Sequence, residues 1–260
     1  MVRDTRIKIL VVGDSCQDVF VYGDIARISP EAPVPVFNPM KEKSNDGMAR
    51  NVANNVEALG STIYTITNKN TIRKVRYVDE RSNQMVLRVD ENDKCDRIDR
   101  DVLRKIQNNK CNLPMNDVVG IDAIIISDYC KGFLEEDDIK WICDNNENVF
   151  IDTKKQFGSY LDNATFIKIN DLEYKKNFGL IESNGFKDKL IVTQGREGCI
   201  YKDKVYPTED VPVKDISGAG DTFIAGLTVN YIETNDIVAA INFAQKCTKI
   251  VVQKHGVSTI

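Results

Sequence analysis

The sequence predicts an α/β protein with a mostly parallel central sheet, helices on both faces and a small β-structure standing off it. Three observations carry this expectation. Short apolar runs alternate with helical patterns along nearly all of the 260 residues, which implies parallel strands joined by crossover helices. A glycine cluster at 215–223 separates one such run from an apolar helix. Two extended stretches, at 32–37 and 71–90, break the rhythm. The length suffices for one sizeable core, so a single domain over 1–260 is expected, with lid strands near 31–38 and 71–91.

In chain order, Ile7 to Val12 is a β-rich run that stops at Gly13-Asp14, as a buried strand feeding a loop would. Met48, Val52, Val56 and Leu59 share one helical face, and Gly60 follows as the stop signal. Further strands are expected at Ile63–Thr67, Ala123–Ser127, Val149–Asp152, Phe166–Ile169, Leu190–Thr193, Cys199–Tyr201 and Val211–Val213. Helices are expected at Asp99–Asn108, Glu135–Asn145, Asp171–Phe178, Ala219–Ile232 and Ile237–Val252. The proline-punctuated Ala32–Phe37 fits only an edge strand or an arm. Thr71–Tyr77 and Gln84–Asp90 alternate like two strands joined around Arg81-Ser82-Asn83.

Composition narrows the function class. Hydrophobic residues at 42% and charged residues at 28% exclude a disordered chain. A net charge of −4 argues against a nucleic-acid surface. Seven scattered cysteines without a C-x-x-C pair, and a single histidine, argue against zinc and for reduced thiols in the cytoplasm. Apolar runs such as Ala123–Ile126 are too short to span a bilayer, so no membrane partner is expected.

The chemistry concentrates in Asp215-Ile216-Ser217-Gly218-Ala219-Gly220-Asp221-Thr222-Phe223. Glycines before a helix let the backbone approach an anion, which exposed N–H groups and the helix dipole then favour. A carboxylate beside such a nest would repel a passively bound phosphate. Asp221 makes sense there as a base that takes a proton from a hydroxyl attacking a phosphoryl group. Gly218, Ala219 and Gly220 would then hold the charge developing on the transferred group. The plainer alternative is a glycine turn with Asp221 as a helix cap. The P-loop pattern, the protein-kinase motif set and G-x-G-x-x-G are all absent from the sequence.

Asp215–Phe223 resembles the second signature of the ribokinase-like (PfkB) carbohydrate kinases. The rest narrows the resemblance: Gly13-Asp14-x-x-x-Asp18, Tyr22-Gly23, Arg27-Ile28-Ser29-Pro30-Glu31-Ala32-Pro33-Val34-Pro35-Val36 and Asn51-Val52-Ala53. These are similar to the D-glycero-D-manno-heptose 7-phosphate kinases, the kinase half of the bifunctional ADP-heptose synthesis protein. Thr71-Ile72-x-Lys74-x-Arg76, Leu87-Arg88-x-Asp90, Ser127-Asp128-Tyr129-x-Lys131-Gly132, Ile151-Asp152-x-Lys154 and Lys254-x-Gly256-x-Ser258-Thr259 continue the similarity. It covers nearly the whole chain, and the nucleotidyltransferase half has no counterpart. The implied fold is a ribokinase-like three-layer sandwich with a β-lid.

The resemblance also implies roles. Asp18 and Asn51 would hold sugar hydroxyls, with Gly47 letting the sugar lie close to backbone; alternatively Asp18 caps a turn and Asn51 a helix. Asn170 and Glu173 would place Mg2+ and the ATP phosphates through ordered water, Glu173 being the metal-side carboxylate. The same pair is also a plain capping box, and both readings can hold at once. Thr193, Gly195 and Gly198 would form the nucleotide-binding turn, with Gln245 where relatives carry an asparagine near adenine. Lys254–Ser258 resembles the loop that, with backbone near Asp215 and Ser217, holds a monovalent cation such as K+ in many relatives; His255 within it reads as a surface residue. Lys74, Arg76 and Arg88 would read the distal phosphate of a phosphorylated sugar, or else are solvated charges. The lid segments resemble strands that pair subunits, so the expected macromolecular partner is a second copy of the chain.

Two departures from the family pattern stand out. Asp46-Gly47 replaces a glycine pair, and the chain passes from Asn70 straight to Thr71, where relatives carry a strand–helix unit of roughly thirty residues. Three functions fit the pattern: the heptose 7-phosphate kinase acting at O1, a kinase of the same type with another sugar acceptor, and a catalytically silent sugar- or nucleotide-binding protein. The intact base and glycine nest argue against the third, and the missing unit for it.

Overall fold

The computed structural model describes residues 6–113, 116–254 and 256–260; His255 and the first five residues lie outside them. The chain begins with β1 (Lys8–Gly13), β2 (Ser15–Ile28), β3 (Pro35–Met48), α1 (Ala49–Ala58), β4 (Thr62–Thr67), β5 (Ile72–Asp79) and β6 (Met85–Glu91). Next come α2 (Arg100–Arg104), β7 (Ile106–Gln107), β8 (Lys110–Leu113), β9 (Asn116–Val119), β10 (Ala123–Asp128), α3 (Glu136–Asn145) and β11 (Val149–Thr153). It finishes with β12 (Phe166–Asn170), α4 (Asp171–Asn184), β13 (Leu190–Thr193), β14 (Cys199–Tyr201), β15 (Lys204–Tyr206), α5 (Ala219–Thr234) and α6 (Ile237–Val251).

Eight strands form the central sheet in the order β15-β14-β13-β12-β11-β10-β1-β4. The pairs from β4 through β13 are parallel, and β14 and β15 add an antiparallel edge. Burial on both faces explains the near-continuous apolar runs. Ile9 and Val11 of β1 pack with α1, α5 and α6 on one side, through Val52, Val56, Phe223 and Ile241. Leu10 and Val12 point the other way, into a cluster with Ile139 and Ile142 of α3 and Ile181 of α4. Helix α5 is buried continuously from Asp221 to Val229, as a helix apolar on every side must be.

The remaining long strands form a separate four-stranded sheet, β3-β2-β5-β6. The proline-bearing segment is its edge strand, as its missing N–H donors require, and a register shift separates Tyr22 from Gly23 opposite Pro39. The chain runs from the outer strand β4 directly into β5, which pairs parallel with β2. The segments expected as lid strands lie in this sheet, which is termed the lid.

Three expectations fail locally. Val211–Val213 forms no strand; the antiparallel edge is made instead by Lys204–Tyr206. The helix expected over Asp99–Asn108 stops at Arg104, because Ile106 is drawn into a three-stranded sheet with Cys111 as its partner. The lid strand β2 covers fourteen residues, so Asp18 lies inside a strand and the turn-capping alternative for it fails. Helix α4 is also longer than the periodicity indicated, ending at Gly185 in a left-handed cap.

Candidate active site

The glycine segment lies where the start of α5 meets α1 and the lid. Gly218 is the N-cap of α5 in the left-handed conformation, φ 81, which glycine adopts without strain. A Cβ there would stand 2.6 Å from the Asn51 amide nitrogen, and one on Gly220 would stand 2.7 Å from the Lys168 ammonium. Each glycine of the nest therefore makes room for a polar group of another element.

Asp221 begins the buried face of α5 and is 3% exposed. Its Oδ2 accepts from Asn51 Nδ2 at 2.9 Å and its Oδ1 from the Tyr129 hydroxyl at 2.7 Å. Burial pushes the carboxyl up to about 6, the two donors and Lys168 pulling it down and Asp152 adding to the rise. A carboxyl tuned into this range suits a general base near neutrality. Lys168 and Asp152 form a buried pair at 2.7 Å. Burial works against the Lys168 charge, but Asp152 outweighs it and holds the ammonium above the usual lysine range. Asn51 caps no helix: Met48 is the N-cap of α1, without a side-chain bond.

Asp18 is the fourth residue of β2 and is buried. Its Oδ1 accepts from Arg76 Nη1 at 2.5 Å, both side chains being largely covered. Gly47, opposite Cys16 in the strand pair, lies diagonally across from it, and a Cβ there would lie 2.0 Å from Asp18 Oδ2. The space that glycine leaves is thus filled by the Asp18 carboxylate. Lys74 and Arg76 share the inner lid face as strand alternation requires. Neither is a solvated charge: Lys74 is 9% exposed, and burial holds its ammonium below the usual range. Arg88, opposite Arg76 on β6, is half-exposed and grips Asp90 with Nε and Nη2 at 2.7 and 2.8 Å.

On the other side of Asp221 opens a cleft of about 530 Å³, within the range of small-molecule sites. Asn170, Glu173, Thr193, Gly195, Gly198 and Gln245 all line it, together with Gly218, Ala219 and Gly220. The sequence-predicted nucleotide residues therefore converge on the nest. Gly198 (φ 99) needs its hydrogen, since a Cβ would stand 2.1 Å from the Tyr206 carbonyl. Asn170 and Glu173 form a reciprocal capping box on α4, at 2.8 and 2.9 Å. Gln245 donates to the Tyr206 carbonyl at 2.6 Å, which fixes the wall of the cleft. Asp215 accepts from the amides of Ser217 and Gly256, at 2.8 and 3.1 Å, tying the nest to the 254–258 loop.

Among the described residues no group of three or more His, Cys, Asp or Glu side chains converges as a metal cage. The donor set fits magnesium carried in by nucleotide phosphates, which needs one or two carboxylates and water. Glu173 and Asp152 supply carboxylates at the cleft.

Sequence reasoning gave no role to Tyr129, Asp152, Lys168 or Asp14. A lysine inside the otherwise apolar run of β12 was the available signal, since a buried charge needs a partner. Asp14 is buried and accepts from the amides of Tyr129, Lys131 and Phe133 at 2.7, 3.2 and 3.2 Å, so it shapes the loop that carries Tyr129.

The sequence profile of the pfkB family carbohydrate kinases matches residues 45–260. The chain belongs to the pfkB family of carbohydrate kinases. It is accordingly an ATP-dependent sugar kinase. A bifunctional protein HldE from a Nitratiruptor species is 31% identical over 297 aligned positions, covering 97% of this chain and 63% of that protein. The same-named protein of Helicobacter acinonychis is 30% identical over 298 positions, covering 96% and 63%. The chain thus spans about 63% of the length of these curated relatives. The alignments are also longer than the chain's own 260 residues, so the relatives carry segments this kinase lacks. Among solved structures, ribokinase from Thermotoga maritima superposes with a TM-score of 0.69 at 16% identity, covering 96% of this chain and 94% of that one. Phosphofructokinase-2 from Escherichia coli in complex with potassium superposes at 0.67 and 13% identity, covering 97% and 94%. These two likenesses establish the ribokinase-like fold.

Proposed function

We propose that this pfkB-family kinase transfers the γ-phosphoryl of ATP to O1 of D-glycero-D-manno-heptose 7-phosphate, with Asp221 as base. The observation that carries this reading is the buried Asp221 between the glycine nest and the lid, tuned to about 6. In this mechanism Asp18 and Asn51 orient the sugar. Asp221 takes the proton of the attacking hydroxyl, and the N–H groups at 218–220 receive the γ-phosphoryl. Lys168, against Gly220, balances the charge that develops there. Magnesium, positioned from the Asn170–Glu173 end of the cleft, would supply charge neutralisation of the phosphates.

The acceptor assignment rests on the lid. Lys74, Arg76 and Arg88 occupy its inner face, with Arg76 opposite Arg88, and arginine forks suit phosphate. Similarity to the HldE proteins points the same way. Steady-state ATP turnover against a panel of free and phosphorylated sugars tests it. Preference for the heptose 7-phosphate is expected, and preference for an unphosphorylated sugar would replace it with another acceptor. A silent binding protein is disfavoured by the complete base and nest.

Three ancillary proposals follow from the same reading. K+ binds between the Asp215–Ser217 loop and residues 254–258, as the Asp215 bridge supports. The outer lid face, with Leu87 and Val89 exposed beside Tyr77 and Val75, pairs two copies of this single kinase domain; gel filtration with light scattering checks this. The reaction belongs to a reducing, cytoplasmic setting, which suits seven free cysteines. Among the described residues no helix is long and apolar enough to cross a membrane.

A further inference from the structure

Both oxygens of the Asp221 carboxylate are occupied from within the protein, by Asn51 and by Tyr129. A general base has to offer an oxygen to the hydroxyl it deprotonates. The two occupants differ in how they are held. Asn51 lies on α1, where its own Oδ1 accepts from Asn55 at 3.2 Å, and it is fully buried. Tyr129 hangs from the loop after β10, whose backbone is pinned by Asp14 and by Asp128 through the Cys130 amide at 3.0 Å. Cys130 itself is left-handed at φ 56, which turns the chain sharply just after the tyrosine.

The ring of Tyr129 is bracketed by two ammonium groups. Lys74 of the lid lies 5.2 Å from its centroid, and Lys154, beyond β11, lies 4.4 Å from it. The ring therefore stands at the seam between the lid and the nucleotide cleft, which it also lines. Burial drives the phenol well above its ordinary range, the Asp221 and Asp152 charges adding to it, so the hydroxyl is a donor at any working pH.

We infer that Tyr129 caps the base: its hydroxyl holds Asp221 Oδ1 while the acceptor pocket is empty and yields that oxygen to the acceptor hydroxyl. The inference rests on Asp221 being the base. Its consequence is protection of ATP from water. Without the phenol oxygen, a water molecule takes its place at Oδ1 and passes a proton to Asp221. The water oxygen bonds to the γ-phosphorus, the bond from that phosphorus to the β,γ-bridging oxygen breaks, and ADP and inorganic phosphate leave. Removing the donor also raises the carboxyl further, against a background of Asp152, Lys168 and Cys16 as the other titratable groups that sense or face it.

The test is ATP hydrolysis without any sugar in Tyr129→Phe. The expected result is a rise of about 10-fold or more, the worth of one hydrogen bond to a charged group, with the acidic limb of that hydrolysis moved to higher pH. Hydrolysis no faster than in the parent, with ATP still bound, overturns the cap. In Tyr129→Phe/Asp221→Asn the gain should vanish, and a gain that persists also overturns it, because the water is then activated elsewhere. The two readings fail separately: full sugar phosphorylation by Asp221→Asn alone defeats the base, whereas an inactive Asp221→Asn beside an unchanged Tyr129→Phe defeats only the cap. Should Tyr129→Phe fail to fold, 3-fluorotyrosine at 129 gives a second measurement. Its fluorine resonance should move when D-glycero-D-manno-heptose 7-phosphate binds with ADP, and a fixed resonance with the sugar bound, checked by calorimetry, contradicts the proposal.

Discussion

The amide of Asn51 donates to Asp221 Oδ2 at 2.9 Å across 170 positions of sequence. The contact joins α1 to α5 through the gap that Gly218 leaves, so three separate sequence signals meet in one hydrogen bond. Asn51→Ala should lower kcat/KM by about 10-fold or more, the usual cost of removing a bond to a charged group. It should also shift the acidic limb upward in pH, because a donor that lowers the base has gone. A pH profile of kcat/KM checks both effects.

Asp221→Asn should cut kcat by about 10² to 10⁴, the range for a positioned base, with ATP affinity little changed. The same variant reports on stability. The carboxyl is raised from 3.8 to about 6 in the folded state. Its favourable contribution is therefore full below about pH 4 and lost as the pH rises through about 6, a difference of about 3 kcal/mol. Melting curves should show Asp221→Asn gaining on the parent protein between pH 4 and pH 8. A constant offset would contradict the burial argument.

Much of this was legible in sequence, and the failures have physical causes. The parallel strands of the central sheet were readable because burial on both faces leaves continuous apolar runs, as in Ala123–Ile126. The nest was readable because glycines at 218 and 220 beside Asp221 make little sense in a plain turn. Strand β2 was not: its burial is nearly unbroken from Ser15 to Val21 although polar residues interrupt it, so neither alternation nor an apolar run marks it. Tyr129 was invisible as a partner of Asp221, since a tyrosine after a strand looks like any loop aromatic. The lid positives were found, but spacing within one strand could not reveal that Arg76 is engaged by Asp18 from the neighbouring strand.

That pairing separates two arginines experimentally. Arg76→Ala leaves the buried Asp18 without its partner, an arrangement that typically costs about 3–5 kcal/mol, and should raise KM for the free sugar as well, though by less than for the phosphorylated one. Arg88→Ala, on the exposed edge strand, should raise KM only for the phosphorylated acceptor, by about 10-fold. Steady-state kinetics with both acceptors decide this, and equal effects of the two substitutions would remove Arg88 from phosphate recognition.

Gly47→Ala places a methyl 2.0 Å from Asp18 Oδ2 and 2.7 Å from Cys16 Sγ. Asp18 has to move, and Arg76 opposes the movement. The expected outcome is a rise of about 10-fold or more in sugar KM with ATP KM unchanged. Unaltered sugar KM would show that Asp18 does not orient the acceptor.

The most direct measurement is the position of the phosphate in the product. D-glycero-D-manno-heptose 7-phosphate and ATP are incubated with the parent kinase and with Asp221→Asn, and the sugar is followed by phosphorus and proton NMR. The account predicts a new phosphate resonance coupled to the anomeric proton, formed by the parent and nearly absent with Asp221→Asn. Transfer to any other hydroxyl, or an equal yield from the Asn variant, would contradict it.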